Sequence, residues 1–525
     1  MKASLFLTVT LCACAAPTPD EGAPKAEGDS GSDTRPDTAA GPAPCVATGF
    51  DPSGFDYHLP ARVYWSWPGT SDDGDSWNDE RWALYDLTQD GYADLVVTFA
   101  QFHSEATSSG WEVYPGGPTG FSDTALGYAL PTIEGERWDD NAAFGAFEGS
   151  AARYCDDGER AWYMWHTMDL TGDGRLDLFL SYLGCDELAA ETWALYEGGQ
   201  SGFAAAPTPY GLPADEDMWQ GGTGGESNHR CAASGRNETF YWDTLDLTGD
   251  GRPDFVVPYD ACDASIGATE WRIYPGETGG FSASPLYLGL PAAQGTAWRD
   301  DLPWPYTSST TYRTCDNGTR SAALTWTLAD LVDDARLDLV VTYDACDPTI
   351  GATQWAVHAG SEAGYAATPE HFYLPTIEGS GWEDGVPFPT LEGSSEHLCA
   401  SGATGTSGWS VRDLTNDGTA DLVLTSDGCD ATLGSDHWAV YEQGDAGFSE
   451  PPRLWQLPSS ARTFPTVQDT TRRDCEPGGS GDYAWDTTDL NGDGAADLVV
   501  TLDECGPESL STERWVVYFA VCAEP

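Results

Sequence analysis

The sequence predicts an all-β fold, a six-bladed β-propeller closed by its own N-terminal strand. Three observations carry that expectation. A nine-residue Asp/Gly stretch returns six times, at Asp86–Asp94, Asp169–Asp177, Asp246–Asp254, Asp330–Asp338, Asp413–Asp421 and Asp489–Asp497. Around each copy, two tryptophans, a Gly-aromatic pair and a Leu-Pro pair recur at nearly fixed spacing. The last repeat lacks its Gly-aromatic and Leu-Pro segment, and a spare one, Gly49-Phe50 to Leu59-Pro60, stands at the front. Short strands at a fixed period make propeller blades, and a ring closed in this way has no open sheet edge.

Residues 1–13 read as an export signal, with Lys2 before Leu5, Phe6, Leu7, Val9 and Leu11. The apolar run is too short to span a bilayer. Leu11-Cys12-Ala13-Cys14 resembles the lipobox of bacterial lipoproteins. The resemblance implies cleavage before Cys14, lipidation of that residue and an outer-membrane location, although Cys12 stands where a small residue is usual. Residues 14–44 are Ala, Pro, Asp, Gly, Ser and Thr without apolar periodicity, a disordered tether reaching on the order of 30 Å. Residues 45–525 form the repeat domain.

Within each repeat a tryptophan stands four residues before the first Asp, at Trp82, Trp165, Trp242, Trp326, Trp409 and Trp485. A second follows the loop, at Trp111, Trp193, Trp271, Trp355, Trp438 and Trp515. The Gly-aromatic pairs end at Phe50, Phe121, Phe203, Phe281, Tyr365 and Phe448. The runs Leu178–Tyr182 and Phe255–Val257 are β-rich, and Trp193–Tyr196 alternates before stopping at Glu-Gly. Each repeat thus reads as four strands: first-Trp strand, Asp-Leu-Val strand, second-Trp strand and Gly-aromatic strand. The tryptophans are assigned to packing between blades.

Carboxylates at loop positions 1, 5 and 9, a short oxygen-bearing side chain at 3 and Gly at 6 make an oxygen-lined turn suited to a hard cation such as Ca²⁺. Gly supplies the positive φ that so tight a loop needs. An EF-hand is excluded because position 12 is Leu180 or Val97 where a bidentate Glu should stand. The loops, each running into Asp-Leu-Val-Val or a near match, resemble the FG-GAP/VCBS repeats of integrin-α-like propellers. The resemblance covers residues 45–525 and implies metal ligation at five loops. These are Asp86, Thr88, Asp90 and Asp94; Asp169, Thr171, Asp173 and Asp177; and Asp246, Thr248, Asp250 and Asp254. Asp413, Thr415, Asp417 and Asp421 form the fourth set, and Asp489, Asn491, Asp493 and Asp497 the fifth. The loop at Asp330–Asp338 departs, with Val332 at position 3 and Ala335 at position 6. About five Ca²⁺ sites are therefore expected.

Twelve cysteines remain after Cys12 and Cys14, and their spacing predicts the pairs Cys155–Cys185, Cys231–Cys262, Cys315–Cys346, Cys399–Cys429 and Cys475–Cys505, with Cys45–Cys522 outside them. Members of an inner pair flank each loop by similar distances and should meet at the end of the blade opposite it. The first repeat lacks both members, with Asp72 and Phe102 nearby. Disulfides place the chain in an oxidising, exported compartment.

A net charge of −62, with lysine only at Lys2 and Lys25, excludes nucleic acid and anionic membrane as partners of the body. The membrane is met through the N-terminal lipid alone. Similar propellers serve extracellular recognition, so the resemblance implies a calcium-stabilised, lipid-tethered recognition or adhesion module that binds an extracellular protein or glycan, as a monomer. The alternatives are a carbohydrate-active hydrolase or lyase on the same scaffold, or a structural envelope component. No catalytic residue is assigned: the eight histidines form no motif, and no G-x-S-x-G or H-E-x-x-H is present. The connectors from Leu-Pro to the next loop vary most in length and carry Trp138, Asp139, Asp140, Trp298, Asp300, Trp382 and Asp384. Variable loops on a fixed scaffold point to recognition there, on the face opposite the metal loops.

Overall fold

The computed structural model describes residues 46–60, 80–100, 110–133, 144–155, 158–184, 192–213, 224–231, 236–299, 301–332, 335–383, 385–444, 446–458, 463–475, 480–505, 510 and 513–522. The export signal, Cys14, the tether, Cys45 and Cys185 lie outside them. Every regular element among the described residues is a β-strand. The strands form six sheets of five to seven strands and one two-stranded ribbon, in an all-β, propeller-like arrangement.

The second repeat is representative. Gly149–Tyr154, Arg160–Met168, Asp177–Leu183, Thr192–Tyr196 and Thr208–Gly211 pair antiparallel in that order. The Asp/Gly loop joins Met168 to Asp177 at one end of the sheet. This differs from the expected repeat in two respects. The fourth strand is the segment between the Gly-aromatic and Leu-Pro pairs, not the Gly-aromatic pair itself. In addition, a strand precedes the first-Trp strand in sheets two to six: Gly149–Tyr154, Gly224–Arg230, Ser309–Arg313, Glu392–Leu398 and Asp469–Asp474. Sequences such as Glu392-Gly-Ser-Ser-Glu-His-Leu398 have weak local strand preference, and the hydrogen bonds offered by the neighbouring strand impose the conformation.

The Gly-aromatic pairs reach sideways. Gly202, Gly280 and Gly447 pair parallel with Ala129, Gly211 and Tyr373, each on the outer strand of the preceding sheet. Gly120 and Gly364 make the same bridge to His58 and Gly289. These five glycines have φ between +121° and +149°. A Cβ on Gly202 would lie 2.5 Å from the Ala129 amide nitrogen, so a side chain is excluded by space as well as by backbone conformation.

The aromatic half of each pair then caps a tryptophan of the preceding repeat, edge-on. Phe203 meets Trp111 at 5.4 Å, Phe281 meets Trp193 at 5.5 Å and Tyr365 meets Trp271 at 5.7 Å. Phe448 meets Trp355 at 5.8 Å, Phe50 meets Trp438 at 5.7 Å and Phe121 meets Trp515 at 5.6 Å. All six second tryptophans are completely buried. Edge-to-face contact of this kind adds about 0.5–1.5 kcal/mol beyond area burial. The indoles also hold the connectors: Trp111, Trp271, Trp355 and Trp438 donate to the carbonyls of Phe144, Trp304, Phe388 and Phe464 in the following repeat.

The two chain ends share a sheet. Phe55–His58 pairs antiparallel with Arg514–Tyr518, and Ala47–Phe50 pairs with Ala520–Cys522. Six apolar clusters lie between sheets, each drawing on two of them. One joins Tyr57 and Trp515 of the last sheet to Trp82 and Leu95 of the first.

Four disulfides have both cysteines among the described residues: Cys231–Cys262, Cys315–Cys346, Cys399–Cys429 and Cys475–Cys505, with Cα atoms 5.1–5.6 Å apart. Cys155 and Cys522 are disulfide-bonded too; their expected partners, Cys185 and Cys45, lie outside the described residues. Each first cysteine follows the additional inner strand, so the bridge spans the start of the first-Trp strand at the end away from the Asp/Gly loop.

Candidate metal loops and the opposite face

The loops owe their shape to backbone amides aimed at carboxylates. At Asp169, Oδ1 accepts from the amides of Gly172 and Asp173, and Oδ2 from that of Gly174. Asp173 Oδ1 accepts the Arg175 amide at 2.9 Å. Asp177 at position 9 takes the Leu170 and Thr171 amides on Oδ2 and the Gly198 amide on Oδ1. Asp254 repeats this with Leu247, Thr248 and Gly276. The position-9 carboxylates Asp94, Asp177, Asp254, Asp338, Asp421 and Asp497 are all essentially inaccessible. Burial pushes Asp94, Asp177, Asp254 and Asp338 up to about 6 and Asp421 to about 7. At position 1, burial likewise raises Asp86, Asp413 and Asp489.

The fourth loop separates two roles. Asp338 still accepts the Leu331, Val332 and Gly360 amides although Val332 offers no side-chain oxygen. Position 9 is thus a staple of the turn, needed with or without a cation, and a cation would share that carboxylate rather than claim it. Ala335 holds φ at +60°, a conformation costly for a side-chain-bearing residue. Asp333 and Asp334 lie outside the described residues.

The other five loops carry the oxygen donor types that a hard cation takes, and they differ in how closely they gather them. In the first, ligand oxygens of Asp86, Asp90 and Asp94 lie within 4.8 Å of one another; among the described residues the other loops do not bring their carboxylates so close. In the fifth, Thr415 Oγ1 at position 3 and Asp421 Oδ1 at position 9 are buried without a well-formed hydrogen bond. The Thr415 hydroxyl leans on the Asp421 carboxylate, and two buried oxygens at ligand positions with no other partner are what a bound cation would satisfy. A feature absent from the sequence reading is that position 4 is also left-handed: Gln89, Gly172, Gly249, Asn416 and Gly492 have φ of +54° to +73°. Gly or Asn at that position in four loops was the available signal.

Neighbouring loops touch. Gln89 Nε2 donates to the Gly174 carbonyl at 2.9 Å and Arg252 Nε to the Thr171 carbonyl at 3.1 Å. Asn416 Nδ2 reaches the Asp493 carbonyl, and Gly492 abuts Gly91 so closely that no Cβ fits. One end of the molecule is therefore a band of mutually supporting acidic loops.

The opposite end carries the disulfides and, among the described residues, the connector segments around Trp298 and Trp382. Trp298 and Trp382 are half-buried and turned inward: Trp298 covers the Arg313 guanidinium at 5.2 Å, and Trp382 stacks on His397 at 4.2 Å. Trp138, Asp139, Asp140, Asp300 and Asp384 lie outside the described residues. Among the described residues, the exposed aromatic side chains on the two strands beside the disulfides are Tyr154, Trp162 and Tyr312, in sheets two and four, which the sequence reading did not single out. Their signal was available as aromatics in otherwise polar strand segments beside the cysteines.

The chain matches no known family model and no curated protein. The FG-GAP/VCBS resemblance accordingly rests on the loop residues themselves.

Proposed function

We propose that the six sheets are the blades of a closed six-bladed propeller, stiffened by about five Ca²⁺ ions. In this reading a lipid on Cys14 tethers it to the outside of a bacterial envelope, and it serves in recognition or adhesion. Closure is supported by the aromatic pairs, which run from each repeat to the next and return through Phe50 and Phe121. Calcium is supported by the donor sets and by the buried oxygens of Thr415 and Asp421, which face each other and lack a well-formed hydrogen bond. The bound ions would neutralise carboxylates that the loops bury, leaving a rigid scaffold and no chemistry at the metal.

The observation that carries recognition is the exposure of Tyr154, Trp162 and Tyr312, at 40%, 51% and 37%, at the end away from the loops. Exposed aromatics on rigid strands stack on sugar faces or fill protein pockets at low entropic cost. The test is a glycan and cell-surface binding screen with calcium present, comparing wild type with a Tyr154→Ala, Trp162→Ala, Tyr312→Ala variant. Loss of binding at unchanged calcium content supports this face. Binding that survives the triple change removes it. Turnover of polysaccharide in the same screen would favour a hydrolase or lyase instead.

A further inference from the structure

A basic residue stands two positions before the first cysteine of every inner pair: Arg153, His229, Arg313, His397 and Arg473. In the fourth sheet its place is plain. Arg313 is almost wholly buried, its Nη2 donates to both oxygens of Asp344 at 2.6 and 2.7 Å, and Trp298 covers it. The fifth sheet keeps this frame but substitutes an imidazole. His397 is fully buried, and its Nε2 lies 3.0 Å from Cys429 Sγ and 3.3 Å from Asp427 Oδ1.

The ring is locked. Trp382 stacks on one face with an interplanar angle of 20°. Its connector is tied down by the paired Ser380 and Leu398 backbones, and a side chain on Gly379 would strike the imidazole. His397 Nδ1 is buried and has no hydrogen-bond partner. A ring proton there would be an orphaned donor, whereas Nε2 faces two acceptors, so this network assigns the proton to Nε2. Nε2–H is therefore shared between the Cys429 sulfur and the Asp427 carboxylate, with the sulfur the nearer.

We infer that Cys399–Cys429 is a thiol-exchange site, at which His397 stabilises the departing Cys429 sulfur. The co-reactant is a small thiol or a protein dithiol. Its thiolate attacks Cys399 Sγ, a mixed disulfide forms at Cys399, and the Cys399–Cys429 bond breaks. The electron pair leaves on Cys429 Sγ, where the Nε2–H hydrogen bond holds the new thiolate. A second thiolate resolves the mixed disulfide, leaving both protein cysteines reduced and the co-reactant oxidised. A stabilised leaving thiolate departs faster. Access differs as well: Cys399 and Cys429 both reach solvent, whereas Cys315 is buried.

Cys315–Cys346, with Arg313 committed to Asp344, is the internal reference. The full-length native protein is exposed to limiting glutathione, quenched with an alkylating agent at intervals, and mapped by peptide mass. Cys399 and Cys429 should be alkylated at least about tenfold faster than Cys315 and Cys346. His397→Arg, which rebuilds the neighbouring frame, should slow them several-fold at unchanged melting temperature. Equal rates for the two disulfides in wild type overturn the inference, and that comparison needs no variant. A rate untouched by His397→Arg assigns the difference to exposure alone and overturns the role of His397.

Discussion

At the scale of single residues, space and burial decide what each position tolerates. Gly280 has φ +149° and faces the Gly211 backbone, with 2.5 Å available to a Cβ, whereas Gly49 of the equivalent pair meets nothing within 4 Å. Gly280→Ala should cost about 1–3 kcal/mol in denaturant unfolding, and Gly49→Ala less than about 1 kcal/mol. Equal costs would refute the clip geometry. Asp486 is a second case. It is buried beside the Thr487 amide, and burial pushes its carboxyl up to about 7 against an ordinary value near 3.8. The native state then holds a proton that the unfolded chain releases, so the favourable contribution is complete below pH ~4 and is lost as pH rises through ~7. Asp486→Asn, which cannot ionise, should gain stability relative to wild type between pH 5 and pH 8. A wild-type-minus-variant difference that is flat with pH would show that the buried carboxyl does not titrate there.

At the scale of elements, the Asp/Gly loop combines a turn staple with a cation site, and the two can be separated. Asp250 at position 5 accepts only the Arg252 amide among the described contacts, while Asp254 holds three amides. Asp250→Asn should reduce bound calcium by one ion while leaving the metal-free protein close to wild-type stability. Asp254→Asn should destabilise the protein even in a chelator. Metal analysis of the stripped and recalcified wild type should give about five ions, with the loop at Val332 and Ala335 left out. Each independent site adds roughly 2.7 kcal/mol at a hundredfold excess of calcium over Kd. A melting temperature indifferent to chelator would leave the loops as turns and nothing more.

At the scale of the whole molecule, the N-terminal segment is the joint. Phe55–His58 supplies the outer strand beside Arg514–Tyr518, and Phe50 caps Trp438. Deleting residues 1–44 should leave the melting transition unchanged, because none of these contacts is touched. Deleting residues 1–60 should expose a sheet edge and a tryptophan face, and give a broad transition with aggregation on gel filtration. A monomeric, cooperatively melting product of the longer deletion would break the closure argument.

The sequence by itself determined what repeats and what is chemically marked. Trp, Asp/Gly loop and Cys recur because each fills a place that only its own chemistry satisfies: a buried indole, a left-handed turn lined with oxygens, a covalent bridge. Cys231–Cys262, Cys315–Cys346, Cys399–Cys429 and Cys475–Cys505 were legible for that reason. The inner strands were not, because Gly224–Arg230 and Glu392–Leu398 carry no alternating apolar face and take strand form from the hydrogen bonds of their neighbour. Nor was the sideways reach of Gly202 and Gly280, since a Gly-aromatic pair looks alike whether it closes its own sheet or the next. The same holds for His397 and Arg313, set at equivalent positions two residues before a cysteine. Only the folded neighbourhood sets one between a sulfur atom and a carboxylate and commits the other to a carboxylate alone.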